Sequence, residues 1–515
     1  MFLGRGLAFL LLLSLPACAT FSGAPGSSLT ERIDAVVDSP PLHQVHWGVL
    51  IIDADDGKVL YERNSHRKFV PASNMKILST AAALSILGPQ FRYETGLWGV
   101  GIYEQNDGLL GGDLVLHPSG DPTLSERFYP SPTAPLDSIA DDLWKAGLRT
   151  VTGSLVVDVS RWDSTTVPES WMVGNLPGTS AATGGAFAIG EGVMTVEVVA
   201  GPEEGAPARA RWWPDTEKDI FTAAFRTAHP DSSTSREAHY RPESRRLRVE
   251  GRVPAGEVDT LSVSQRNPVE IASAALMSAL VRRGIEVRGG LRIAWAEGEP
   301  IGSGSCTTGR PVVVEGEAGR PVPTPKNLAA CPEASLLASL TSPPLSEIVE
   351  AILEPSQNWM TEQLVHTLGA ERGERGSWEE GFRIEQEFFT EKVGVDSLDL
   401  VYRDGSGLAA YNLVTPRALV EILRYMRESE NADLYRKAMA EPGEEEGTLR
   451  RRLAGLEGRV FAKTGTITHV NSLSGYLVTD AGRELIFSIL TNGSGLPSGI
   501  VRRGIDGVVE TVARF

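Results

Sequence analysis

Ser73 and Lys76, three positions apart in Pro71-Ala-Ser-Asn-Met-Lys-Ile-Leu78, pair a hydroxyl with an amine. An Ala/Leu-rich helix is expected to begin here and to end near Gly88-Pro89, so both side chains fall on one face of its first turn. A serine hydroxyl is a poor nucleophile at neutral pH unless a neighbour takes its proton, and a lysine partly buried beside polar or cationic groups loses enough basicity to do so. The helix N-terminus also favours a developing oxyanion. Alone, Ser-x-x-Lys arises by chance and reads as surface helix. Two further motifs give it weight. Ser356-Gln-Asn358 lies on a turn between two expected helices. Its hydroxyl can relay a proton to a leaving amine, and its amide can hold both a lysine and a substrate carbonyl. Lys463-Thr464-Gly465-Thr466 ends an expected strand, where a second lysine and the Thr hydroxyls can bind a carboxylate. Gly465 lets an extended acyl-peptide lie against that strand.

The elements that must position these groups follow from periodicity. A helix over 29–37 precedes strands over 47–53 and 58–63, joined at Asp55-Asp56-Gly57, a hairpin signal. From Phe91 onward come short strands (93–100, 113–116, 153–158) and a helix over 136–146, an α+β or α/β pattern. Residues 190–260 are β-like and polar, with 193–199 and 247–253 the clearest strands. A helix over 268–283 and a strand over 285–295 return to the earlier unit. The last third reads as helices (345–353, 359–368, 378–393, 416–427, 449–453), then strands (459–463, 472–479, 484–491) and a closing helix over 500–513. Two early and three late strands would make one antiparallel sheet with helices on its faces.

The trio Ser73-x-x-Lys76, Ser356-x-Asn358 and Lys463-Thr-Gly465 resembles that of penicillin-recognising serine enzymes. The long gap between its first two members is similar to the class C low-molecular-mass penicillin-binding proteins, the D-alanyl-D-alanine carboxypeptidase/endopeptidase family. Gly120-Asp-Pro-Thr-Leu124, Asp404-Gly-Ser-Gly-Leu408 with Thr415-Pro416, and Gly447-Thr-Leu-Arg450 match that family too. A class A β-lactamase shares the trio but lacks a large insertion and carries a deacylating Glu loop, which is not found here.

The resemblance implies an α/β (α+β) fold: a penicillin-binding/β-lactamase-like catalytic domain with two nested insertions. The expected boundaries are a signal over 1–18, a tether over 19–28, a catalytic domain split into 29–92 and 335–515, an inserted unit over 93–189 and 261–300, a nested β-rich unit over 190–260 and a linker over 301–334. It also implies the activity, hydrolysis of D-Ala-D-Ala stems of peptidoglycan and covalent capture of β-lactams, with no cofactor and no metal. Ser73 would attack with Lys76 as base, Ser356 would protonate the leaving amine, and the backbone N–H groups of Ser73 and Thr466 would hold the oxyanion. Lys463 and Thr464 would bind the terminal carboxylate and Asn358 the acyl chain. The rival from another class is a wall-binding scaffold of the same fold without chemistry. One position departs from the family: where a carboxylate usually faces the amino tip of the stem's third residue, Trp171-Met-Val-Gly-Asn175-Leu176 places an amide. Asp158, Asp163 or Glu169 could supply the missing charge.

Composition agrees with an exported globular protein. A chain of 515 residues, 41% hydrophobic and 22% charged, exceeds one core, and a net charge of −17 gives no basic face for nucleic acid. Arg5, the apolar run from Leu7 to Leu15 and Leu15-Pro-Ala-Cys18 form an export signal too short to span a bilayer. The last four residues resemble a bacterial lipobox, which makes Cys18 the expected lipid attachment and the protein a membrane-anchored periplasmic one; ordinary signal cleavage without a lipid is the alternative. Cys306 and Cys331 remain as a disulfide pair for an oxidising compartment, since neither is accompanied by a zinc-type ligand set.

Overall fold

The computed structural model describes residues 27–214, 221–241, 246–301, 306–307, 311–315, 321–325, 331 and 334–515. The expected signal, Cys18, most of the tether and parts of the 301–334 segment lie outside them.

Five antiparallel strands run in the spatial order Val59–Arg63, His46–Asp53, Glu484–Asn492, Val470–Val478, Val460–Ile467. Three of them, His46–Asp53, Val470–Val478 and Glu484–Asn492, are buried along almost their whole length rather than on alternate residues. That pattern requires cover on both faces. On one face, Ile33 and Val36 of the Leu29–Val37 helix and Val501, Ile505 and Val508 of the Ser498–Ala513 helix pack against Val49, Ile51, Leu473 and Phe487. The Leu29–Val37 helix is closed at its start by a reciprocal cap between Ser28 and Glu31. On the other face, Met75–Leu87 packs among the helices Leu345–Leu353, Asn358–Arg372 and Pro416–Glu428. Every residue from Met75 to Leu84 is buried, as befits a helix that is apolar all round and rich in alanine.

The insertion centres on a seven-stranded mixed sheet flanked by the helices Ala134–Lys145 and Pro268–Arg283. Nested within it, two three-stranded sheets share a core built on Met194, Val196, Val198, Leu247 and Val249. The alternating burial of Val193–Val199 is what a sheet with one solvated face produces.

Several expectations are corrected. Ala334–Thr341, placed at the start of the second catalytic segment, is an edge strand antiparallel to Glu94–Glu104 in the inserted sheet. Its Ala/Leu-rich sequence carries no β-branched signal before the final threonine, and the pairing comes from the partner strand's free edge. The strand expected over 285–295 breaks into Glu286–Val287 and Leu291–Ala294 around Gly290, whose φ of 76° ends the extended run. Residues 449–453 form turns rather than a helix, with Leu453 at φ 54°. A short helix, Ala432–Lys437, was not expected and is held by buried Tyr435. Cys306 and Cys331 are joined by a disulfide at the border of the inserted sheet. Among the described residues, no helix is long and apolar enough to cross a membrane.

Candidate active site

Ser73 sits in a 3₁₀ turn, Ala72–Asn74, that feeds directly into the Met75–Leu87 helix. Ala72 is held at φ 49°, a conformation costly for a residue with a Cβ, so surrounding contacts must fix it. They do so from two sides. The Asn74 amide donates to the Lys463 carbonyl at 2.8 Å and its Oδ1 accepts from Ser474 Oγ at 2.7 Å, while Ser472 Oγ donates to the Pro71 carbonyl at 2.7 Å. Gly465 permits this approach: a Cβ there would strike Ser472 Oγ and lie 2.9 Å from both Pro71 O and Ser73 N. On the other side, a Cβ on Gly407 would overlap the Ala72 carbonyl.

Lys76, one helical turn on, is fully buried. Its Nζ donates to Ser73 Oγ at 3.0 Å, to Asn358 Oδ1 at 2.7 Å and to the Ser406 carbonyl at 2.7 Å. Burial lowers the amine's pKa to about 7, against the opposing pull of the negative charges at Glu362 and Asp404. Such an amine can take a proton near neutrality.

Asn358 starts the Asn358–Arg372 helix, and its Nδ2 donates to the Ser180 carbonyl of the insertion at 2.8 Å. Ser356 precedes it at φ 67°, on the turn that Gln357 caps by accepting from Met360 N. Its hydroxyl makes no hydrogen bond among the described residues. Lys463 is buried on the Val460–Ile467 strand, donates to the Thr464 carbonyl at 3.0 Å and is held well below ordinary lysine basicity, by burial first and the Lys76 charge second. Thr464 Oγ1 donates to Thr448 Oγ1 at 2.8 Å, and Thr466 is exposed on what is an edge strand. The structure thus joins Ser73, Lys76 and Asn358 in one network and docks the Lys463 strand beside it.

Asn175 does not join that network. It lies half-buried in the turn Val173–Asn175, and its side chain makes no hydrogen bond among the described residues. Of the alternatives, Asp158 is buried inside the insertion, accepting from Ser160 and facing His117 at 3.7 Å, so it is closed to a substrate amine. Asp163 accepts from Thr165 N, and Glu169 is exposed.

The sequence reading missed Glu362 and Ser180, and it singled out the motifs that hold Ser406 and Thr448 without giving either residue a role. Glu362 was findable, since it lies one turn beyond Asn358 on the same helix face. Ser180 and Ser406 act through backbone carbonyls, which side-chain types cannot signal. Among the described residues, the group able to hold a metal, Glu237, His239 and Glu250, is on the nested sheet, with Arg248 paired to Glu250.

The family model described as the D-Ala-D-Ala carboxypeptidase 3 (S13) family matches residues 29–301 and 324–514. The chain is 32% identical over 505 residues to a D-alanyl-D-alanine carboxypeptidase of Actinomadura sp. (strain R39), covering 94% of this chain and 84% of that one. It is 22% identical to the D-alanyl-D-alanine carboxypeptidase DacB of Haemophilus influenzae, covering 93% and 90%. Its fold is similar to the crystal structure of penicillin binding protein 4 (dacB) from Haemophilus influenzae, with a TM-score of 0.74 at 20% identity over 94% of this chain and 99% of that one.

Proposed function

The chain belongs to the D-Ala-D-Ala carboxypeptidase 3 (S13) family and is a serine-type D-Ala-D-Ala carboxypeptidase acting on peptidoglycan, and from that premise we propose which residues carry the reaction. Ser73 Oγ attacks the carbonyl between the two D-alanines as Lys76 Nζ takes its proton. The C–N bond breaks, Ser356 passes a proton to the departing amine, and water later hydrolyses the acyl-serine ester. The backbone N–H groups of Ser73 and Thr466 hold the oxyanion, Lys463 and Thr464 hold the terminal carboxylate, and Asn358 steadies both Lys76 and the acyl chain. Gly465 and the open edge of its strand receive the extended stem. Asn175 faces its third residue. The reading uses no metal and no organic cofactor. What carries it is the Lys76 amine, buried and placed between Ser73 Oγ at 3.0 Å and Asn358 Oδ1 at 2.7 Å.

Intact-mass analysis after penicillin tests it. Wild type gains one penicilloyl group, Ser73→Ala gains none, and Lys76→Ala acylates about 10²-fold more slowly or worse. Full labelling of Ser73→Ala would overturn the assignment. Product analysis on defined wall peptides reads endopeptidase action on D-Ala–diamino acid cross-links as a second activity.

Export to the periplasm and lipid anchoring through Cys18 belong to the same proposal, supported by the Arg5, Leu7–Leu15 and Leu-Pro-Ala-Cys pattern. Metabolic labelling with a fatty-acid analogue checks it: label present in wild type and absent in Cys18→Ser is the expected result.

A further inference from the structure

Glu362 is a buried carboxylate that the proposed reaction does not use. It stands one turn beyond Asn358 on the same helix and accepts three N–H donors: Gly405 N at 2.9 Å, Ser406 N at 2.8 Å and Trp378 Nε1 at 2.8 Å. Both of its oxygens are engaged as acceptors, which favours the ionised carboxylate. The two backbone donors belong to the loop that begins at Asp404. On the second of these residues, the Ser406 carbonyl accepts from Lys76 Nζ at 2.7 Å. The N–H of that same peptide group, on Gly407, donates to Asp404 Oδ1 at 2.8 Å. The helix therefore reaches Lys76 twice, directly through Asn358 and through the loop that Glu362 grips.

We propose that Glu362 is a positioning residue for the Lys76 base: its carboxylate fixes the Asp404–Leu408 loop so that the Ser406 carbonyl meets Lys76, and its charge steadies the ammonium formed when Ser73 gives up its proton. The inference rests on the assignment of Lys76 as base. Around Lys76, the groups from each packed element are Ser73 on its own turn, Asn358 and Glu362 on the next helix, Asp404 and the Ser406 carbonyl on the loop, and Lys463 on the strand. Behind Glu362 lies Glu385, which burial pushes up to about 8, so it is largely neutral at pH 7 and adds little field. Glu362 itself is raised to about 7, by burial first and the Asp404 charge second. The Glu362 charge therefore develops over the same pH range in which Lys76 titrates, and with Asp404 it is what favours protonated Lys76.

The sign of the test follows. Removing the Glu362 charge makes protonated Lys76 less favourable, so Lys76 becomes neutral at lower pH and the acid limb of acylation moves down. The rate of penicillin acylation is measured from pH 5 to 9 on full-length enzyme. For Glu362→Gln the expected midpoint lies lower by about one unit, with the plateau reduced about tenfold by the loosened loop. For Glu362→Asp, which keeps the charge on a shorter arm, the expected plateau falls while the midpoint stays at the wild-type value. Trp378→Phe, at a half-buried ring, removes one of the three donors that favour the ionised carboxylate, and it should move the midpoint the same way by less. It serves should the Gln variant not fold. A lower plateau with an unshifted midpoint in both Glu362→Gln and Trp378→Phe would reduce Glu362 to a structural residue and overturn the inference. Normal acylation by Lys76→Ala would instead fail the base assignment, whatever Glu362 does.

Discussion

At the scale of single residues, the proposed placing of Asn175 beside the stem's third residue has a measurable consequence. A carboxylate facing the amino tip of a diamino acid makes a charge-assisted hydrogen bond of about 1.5–3 kcal/mol, against about 1 kcal/mol for a neutral amide. Asp158 is committed to Ser160 and His117 in the interior of the insertion and cannot restore that charge. The enzyme should therefore prefer a diaminopimelate-containing pentapeptide over one with a neutral third side chain by less than about tenfold in kcat/KM, and Asn175→Asp should raise the preference. A wild-type preference of about a hundredfold would mean that another group supplies the charge. Residue types made Ser73, Lys76, Asn358 and Lys463 legible in the sequence because the chemistry demands a hydroxyl, an amine and an amide in a fixed order. Glu362 was less legible, since a Glu in a helix is ordinarily a solvated residue and only burial distinguishes this one. The carbonyls of Ser180 and Ser406 were not legible at all, because every residue has one.

At the scale of elements, the site depends on how closely the Val460–Ile467 strand approaches the Ala72–Asn74 turn. Two adjacent strands deliver the clamp, with Asn74 bonded to Lys463 O and Ser474, and Ser472 bonded to Pro71 O. The Gly465 position permits no added atom, because a Cβ would strike Ser472 Oγ and press on Ser73 N at 2.9 Å. Gly465→Ala should destabilise by about 1–3 kcal/mol, the usual cost of overpacking. It should also slow acylation about a hundredfold by displacing Ser73 from the strand. A thermal melt together with the acylation rate checks this, and wild-type values for both would show that the approach is slack. Periodicity gave the buried helices and strands here to within a few residues, since their apolar runs are long. It failed at 449–453, where the positive φ of Leu453 and Gly455 breaks the chain into turns, and at Ala334–Thr341, whose strand state is imposed by the edge it joins.

At the scale of the whole molecule, the insertion contributes to the site rather than merely interrupting the chain. Ser180 O accepts from Asn358 Nδ2 at 2.8 Å, Ser170 Oγ donates to Arg403 O at 3.3 Å, and Trp171 Nε1 donates to Asp404 Oδ2 at 2.8 Å. The segment from Ser170 to Ser180 thus spans both partners of the lysine, the Asn358 helix and the Asp404 loop. That a large insertion separates the first two motifs was readable from their spacing, but that it turns back onto them was not, because the contact is made by a loop without periodicity. Trp171, Leu176, Ala181 and Ala409 form a small apolar cluster of their own, so the indole is both packed and hydrogen-bonded. Trp171→Phe keeps most of the packing and deletes one donor to a fully buried carboxylate. Asp404 retains Gly407 N at 2.8 Å, Ala409 N at 2.6 Å and Asn412 Nδ2 at 2.6 Å, so the loss should stay near about 1–3 kcal/mol rather than unfold the domain. Because Asp404 also holds the peptide whose carbonyl meets Lys76, the same change should slow penicillin acylation several-fold. Trp171→Leu, which removes the ring as well, should lose more stability, by about a further 1–2 kcal/mol of buried area. Chemical denaturation of the two variants beside their acylation rates separates the terms. Unchanged acylation in Trp171→Phe, with stability lowered as expected, would show that the insertion braces the loop without reaching the lysine.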